Sequence, residues 1–116
     1  MTVDRSELQE LSDEELTSTL AGLARRARQA TAALVAHLAV FDSRGLHLRL
    51  GHGSLFSYCR TVLRLSEHEA YNRIEAARLA SRHPQILERL HDGTLNLTAV
   101  RLLAPCLLYT SDAADE

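Results

Sequence analysis

Residues 12–44 read SDEELTSTLAGLARRARQATAALVAHLAVFDSR, and this stretch decides the fold. Apolar side chains recur in it at steps of four and three residues, a spacing that keeps them on one face of a helix. This apolar seam consists of Leu16, Leu20, Leu23, Ala27, Ala30, Leu34, Leu38 and Phe41. Ser12 and Glu15 form a capping-box pattern before it, and Gly45 is suited to the position just after a helix end. We therefore predict one long helix over residues 13–43.

A Gly-rich connection at residues 44–53 follows the long helix. Its three leucines alternate with polar residues, so either a short extended piece or an irregular loop with the leucines in the core fits the pattern. Ser54 is placed to cap the next helix, which we predict over residues 55–64. Val62 or Leu63 is expected among its inward side chains.

Ser66 and Glu69 form a second capping box, which predicts a helix over residues 67–82. The apolar spacing predicts an inner face made of Ala70, Ile74, Ala77 and Ser81. The outward face would then be made of His68, Asn72, Glu75, Ala76 and Leu79. Two further helices are predicted over residues 85–91, which Pro84 begins, and 99–104, which Asn96 or Thr98 caps.

These elements predict an all-α protein, a helical bundle with one long N-terminal helix followed by shorter helices. The helices at 55–64 and 67–82, joined by a tight polar turn, make a helix-turn-helix-like pair. We expect the acidic residues 1–11 to be disordered and residues 12–105 to form the helical domain.

Residues 106–116 read CLLYTSDAADE, and this segment resembles the translation of a transposase-type sequencing adapter, codon by codon. The alternative is a natural C-terminal tail. On the adapter interpretation the natural sequence ends at Pro105, and the helical domain is truncated there. Removing this tail, which holds three carboxylates and no arginine, would change the formal net charge from −2 to +1.

Composition argues against several classes of protein. All thirteen basic residues are arginine, and the two cysteines, Cys59 and Cys106, form neither a disulfide framework nor a metal pattern. The six histidines are not at zinc-binding spacing. The acidic N-terminus lacks the apolar region of a signal peptide, and no apolar run is long enough to span a bilayer. We expect a cytoplasmic bacterial protein without cofactor, membrane contact or catalytic site in this chain.

A basic middle segment suggests one function, contact with duplex DNA. Residues 16–82 hold ten arginines against four carboxylates, whereas residues 1–15 hold one arginine and six carboxylates. The candidate phosphate contacts are Arg60, Arg64, Arg73, Arg78 and Arg82, with Asn72 reaching a base edge. Against this hypothesis, helical hairpins are common in all-α proteins, and the outward face predicted for residues 67–82 is poor in arginine.

The apolar seam suggests a second function, self-association. Leu16, Leu20, Leu23, Leu34, Leu38 and Phe41 follow a near-heptad repeat, which is typical of helices that pair with a second copy. The alternative is that this face packs on the shorter helices of its own chain, as most amphipathic helices do.

Four motifs carry a resemblance to a known family. They are GLHLRLGHGSLFSYC at 45–59, LSEHEAYNRIEAAR at 65–78, HPQIL at 83–87 and DGTLNLTAVRLLAP at 92–105. Together with the long helix, they resemble the helical domain of uncharacterised function that precedes the nuclease module in bacterial HNH-endonuclease proteins. The layout of residues 65–103 is also similar to partition proteins that contain a helix-turn-helix.

The resemblance implies a neighbour of a DNA-cutting module, either an accessory DNA-binding segment or an oligomerising one. The family's His and Asn metal site lies beyond this region, so no catalytic residue of the family falls on this chain. A divalent metal is expected only in that nuclease module.

Overall fold

The computed structural model describes the backbone of residues 4–115 and the side chains of residues 4–107. Regular structure in this part of the chain is entirely helical, which confirms the predicted all-α class. In the described range, seven helices follow one another: α1 (Arg5–Gln9), α2 (Asp13–Ser43), α3 (Leu46–Arg49), α4 (Leu55–Thr61), α5 (Glu67–Arg82), α6 (Gln85–Asp92) and α7 (Leu97–Asp115).

The long helix α2 begins and ends where the sequence predicts. The Ser12 hydroxyl accepts a hydrogen bond from the Glu15 N–H at 3.1 Å, and the Glu15 carboxylate accepts one from the Ser12 N–H, also at 3.1 Å. Gly45 follows the helix with φ +62°, a left-handed conformation that glycine adopts at little cost. Local sequence signals therefore set both ends of the element on which the fold is built.

Helix α5 lies at the centre of the bundle and contacts α2, α4, α6 and α7. Its capping box is confirmed: the Ser66 hydroxyl accepts from the Glu69 N–H, and the Glu69 carboxylate accepts from the Ser66 N–H. Its buried residues are Ala70, Ile74, Ala76, Ala77, Leu79 and Ala80.

The expectation that Ala76 and Leu79 face outward is wrong, because helices pack on α5 from more than one side. Ser81, predicted to face inward, is exposed. A single apolar stripe predicts one buried face, whereas a central helix of small residues is covered over most of its circumference.

The connection at residues 44–53 contains the short helix α3, so neither an extended piece nor an irregular loop is correct. The Gly45 carbonyl accepts hydrogen bonds from the N–H groups of Leu48 and Arg49, which closes one helical turn. Residues two apart point about 200° from each other in a helix. Leu48 therefore cannot share a face with Leu46 or Leu50, and both Leu48 and Leu50 are exposed.

Helix α4 ends at Thr61 rather than at residue 64. The Leu65 N–H turns back to the Cys59 carbonyl at 3.0 Å, and Arg64 takes a positive φ of 57°, so the chain leaves the helical path. Val62 and Leu63 lie in this reversal and are both exposed, which corrects the expectation that one of them faces the core.

Helix α7 is longer than the predicted 99–104. The Asn96 side chain accepts from the Ala99 N–H at 2.8 Å, and the helix then continues through Pro105 to Asp115. Proline removes one hydrogen bond, to the carbonyl four residues earlier, while the flanking leucines and alanines favour helix. The predicted adapter-derived tail at 106–116 thus overlaps α7; Glu116 and the side chains after residue 107 lie outside the described residues.

A single turn of helix, α1, lies in the lead-in that was expected to be disordered. The Asp4 carboxylate accepts from the Ser6 N–H at 2.9 Å and so caps this turn, but none of its residues is buried. Residues 1–3 lie outside the described part of the chain. Among the described helices, none has both the length and the apolar character that crossing a membrane requires.

We expect Leu79→Ala to lower the free energy of unfolding by about 2–5 kcal/mol, because Leu79 is 1% exposed and its removal leaves a cavity beside α5. Urea denaturation measures the change. Leu102→Ala, at a helical leucine that is 74% exposed, is the matched control and should change the value by less than about 0.5 kcal/mol. Equal losses in the two variants would contradict the central position of α5.

Candidate functional site

The first half of α2 projects from the bundle. Of residues 13–28, which we call the arm, all are exposed except Gly22, which is half-buried. At 1.5 Å per residue the arm is about 24 Å long. Three leucines of the predicted seam lie on it, with exposed fractions of 47% for Leu16, 65% for Leu20 and 40% for Leu23. The arm therefore presents an apolar stripe to solvent.

The last three residues of the seam lie in the bundle. Leu38 is buried, whereas Leu34 and Phe41 are half-buried, and the Phe41 ring lies 4.7 Å from the ring of Tyr58 between centroids. The fully buried Val35 is about 100° around the helix from Leu34. The seam is therefore not one continuous contact face, since a near-heptad repeat drifts by about 20° per heptad on a straight helix.

Charge is distributed unevenly along the arm. Its first three residues, Asp13, Glu14 and Glu15, are acidic, and the last four include Arg25, Arg26 and Arg28. A hydrogen bond with the Ser12 backbone, and to a smaller extent one with the Ser12 side chain, lowers the pKa of Glu15 below its ordinary value. This carboxylate is therefore ionised near neutral pH. The arm thus has an acidic end and a basic end, about 20 Å apart.

The residues predicted to contact DNA do not form one surface. Arg73 and Arg82 are nine residues apart on α5, or about 900° at roughly 100° per residue, which places them on opposite sides of the helix. Asn72 and Arg73 are half-buried. The Arg78 Nε lies 3.4 Å from a carboxylate oxygen of Asp42 on α2, so Arg78 contributes to the junction between two helices.

Two of the predicted arginines, Arg60 and Arg64, do lie near one another, at the turn between α4 and α5. Arg60 and Arg64 line a surface groove together with Glu69. The Arg60 Nη1 donates to the Leu65 carbonyl at 3.1 Å, which anchors that side chain across the turn. Arg73 is one helical turn beyond Glu69, and it helps the Ser66 hydrogen bonds to lower the pKa of Glu69.

Arg64 has an unusual backbone. It is the one non-glycine residue with positive φ in the described part of the chain, at 57°. A side chain in this region costs roughly 1–2 kcal/mol relative to the right-handed one, and glycine would avoid that cost. Sequence reasoning chose Arg64 for its charge but missed this feature, because no local residue pattern signals a left-handed arginine.

Other groups offer little chemistry. Cys59 is fully buried, and burial raises the pKa of its thiol, so the unreactive protonated form dominates. Within the described residues, no three side chains of His, Cys, Asp or Glu gather closely enough to hold a metal ion. The exposed arm and the arginines at the α4–α5 turn are therefore the two candidate sites.

Comparison with known proteins adds no relative: no family model, curated protein or solved structure matches the chain. The resemblance to the region upstream of HNH nuclease modules stays a prediction.

Proposed function

We propose that this chain is a helical self-association module, in which two copies pair through their arms. The observation that carries the proposal is the exposure of Leu16, Leu20 and Leu23 on one face of α2, while the second half of the same helix is packed in its own bundle. Pairing removes this apolar stripe from water, and each leucine contributes in proportion to the area it buries.

The geometry of the arm suits a two-helix contact. Leu16, Leu20, Leu23 and Ala27 are spaced by four, three and four residues, which matches the alternation of core positions in a two-stranded coiled coil. Residues 13–26 stand clear of the bundle over about 21 Å, so a second helix has room to lie along them. Arg28, at the end of the arm, lies against Gly93 between α6 and α7. A contact of this size favours a modest, micromolar dissociation constant.

The resemblance to HNH-endonuclease proteins supplies a context for such a dimer. In a protein of that kind, a self-associating helical segment would bring two nuclease modules together, and the divalent metal would belong to those modules. The present chain would act by positioning and would carry no step of the cleavage itself.

Leu20→Glu is expected to abolish the dimer, because it places a carboxylate in the apolar stripe at the leucine that is most exposed on the arm. At about 100 μM, a complex with micromolar affinity is largely formed, so sedimentation equilibrium should give a dimer for the wild-type chain and a monomer for the variant. Leu20 is a cleaner position than Leu34, which is half-buried and contributes to folding.

Leu48→Glu is the matched control, since Leu48 on α3 is 61% exposed, close to the 65% of Leu20. It should remain dimeric. A monomeric wild-type chain, or a Leu20→Glu variant as dimeric as the wild type, would refute self-association through the arm.

A second candidate function is contact with the DNA backbone at the α4–α5 turn. The observation that favours it is Arg64, which occupies a left-handed position where glycine would be less strained. Strained residues cluster at functional sites. Arg60 and Arg64 line one groove, which is suited to phosphates rather than to bases, because the buried circumference of α5 leaves little of that helix to enter a DNA groove.

For this second candidate, Arg64→Gly should raise the free energy of unfolding by up to about 1 kcal/mol and weaken binding to a DNA duplex. The slope of log affinity against log salt should fall by about one, as one phosphate contact is lost. Fluorescence anisotropy with a labelled duplex measures the affinity and its dependence on salt. Arg78→Gln, whose arginine is paired with Asp42, should leave binding unchanged. Equal binding by wild type and Arg64→Gly would exclude a role for this arginine.

A further inference from the structure

We infer that the two arms pair antiparallel, as a dimer of two copies of this chain with the acidic end of each arm against the basic end of the other. This inference rests on the proposed self-association and adds the orientation and the register. Three observations carry it: the charges along the arm, the spacing of its apolar residues, and the point at which the bundle begins.

The charge pattern favours the antiparallel orientation. Asp13 and Glu15 lie at one end of the arm, and Arg26 and Arg28 lie at the other. In a parallel pair, like charges of the two copies would meet at both ends, which is unfavourable. In an antiparallel pair, each carboxylate end meets an arginine end. The two helix dipoles also oppose one another in this orientation.

The flanks of the stripe agree with this pairing. At about 100° per residue, Asp13 and Arg28 flank the leucines on one side of α2, and Glu15 and Arg26 flank them on the other. Equivalent flanks face each other in an antiparallel two-helix contact. Asp13 of one copy is thus near Arg28 of the other, and Glu15 is near Arg26.

The register follows from the apolar spacing. Core positions of opposite type meet in each layer of an antiparallel pair, so Leu20 of one copy packs on Leu23 of the other, and Leu16 packs on Ala27. Every leucine of the arm then has an apolar partner. The large Leu16 also meets a small alanine, a combination that fills space well.

The same register fits the position of the bundle. Asp13 of one copy would reach Ala30 of the other. Near that point, the seam side of α2 meets the bundle in a groove formed by Ala27, Arg28 and Thr31 with Leu90 and Leu95. The end of the second arm would thus meet the bundle at this groove. A parallel pair would instead place both bundles at the same end of the paired arms, where the two bundles would lie side by side.

Disulfide trapping tests the orientation on the full chain in a Cys106→Ser background, since Cys106 is exposed and Cys59 is buried. The Leu16→Cys variant and a tagged Ala27→Cys variant are purified separately, mixed and oxidised mildly. The antiparallel register predicts a 16–27 disulfide between tagged and untagged chains, at least about tenfold more abundant than 16–16 or 27–27 disulfides. In that register, residue 16 of one copy lies eleven residues, or about 16 Å along the axis, from residue 16 of the other, and the same holds for residue 27.

Ser18→Cys is the matched control, because residue 18 is exposed on the side of α2 away from the leucines and should form no disulfide. Sedimentation of the reduced variants at about 100 μM runs in parallel. Predominant 16–16 or 27–27 disulfides, or a dimer without the 16–27 disulfide, would overturn the antiparallel arrangement and leave self-association standing. A monomer with no disulfide would overturn both.

Discussion

The enclosure of α5 by its neighbours is the interaction on which the rest of the structure depends. Four alanines on this helix are buried, namely Ala70, Ala76, Ala77 and Ala80. Because an alanine side chain ends at Cβ, neighbouring helices can approach closely, toward the short end of the usual 8–10 Å between axes. The arrangement buries most of the circumference of α5.

A mismatch of length explains the exposed arm. Helix α2 has 31 residues, or about 46 Å, whereas α5 has 16 residues, or about 24 Å, and α6 has only 8. The bundle can therefore cover one half of α2, from about Ala32 onward. The longer helix α7, with 19 residues, packs on α5, so the other half of α2 has no helix of comparable length beside it in the described chain. In the proposed dimer, a second copy would supply a helix of the right length.

Local signals in the sequence predicted where the helices begin and end better than which of their side chains are buried or exposed. The two capping boxes, at Ser12 and Ser66, and the Gly45 turn determined the ends of α2 and the start of α5, because each depends on residues within one turn of chain. The burial of Leu79 and the exposure of Leu20 depend on which helices lie alongside, and periodicity cannot supply that information. For the same reason the seam was recognised as apolar, but its division between arm and core was not predicted.

Amide hydrogen exchange along α2 tests the central claim, that one half of this helix is stabilised by its own bundle and the other by a second copy. Exchange would be followed at protein concentrations from about 10 to about 500 μM. We expect protection of residues 32–41 to be independent of concentration and protection of residues 16–27 to rise with it. Protection of the arm that does not change with concentration would contradict the claim.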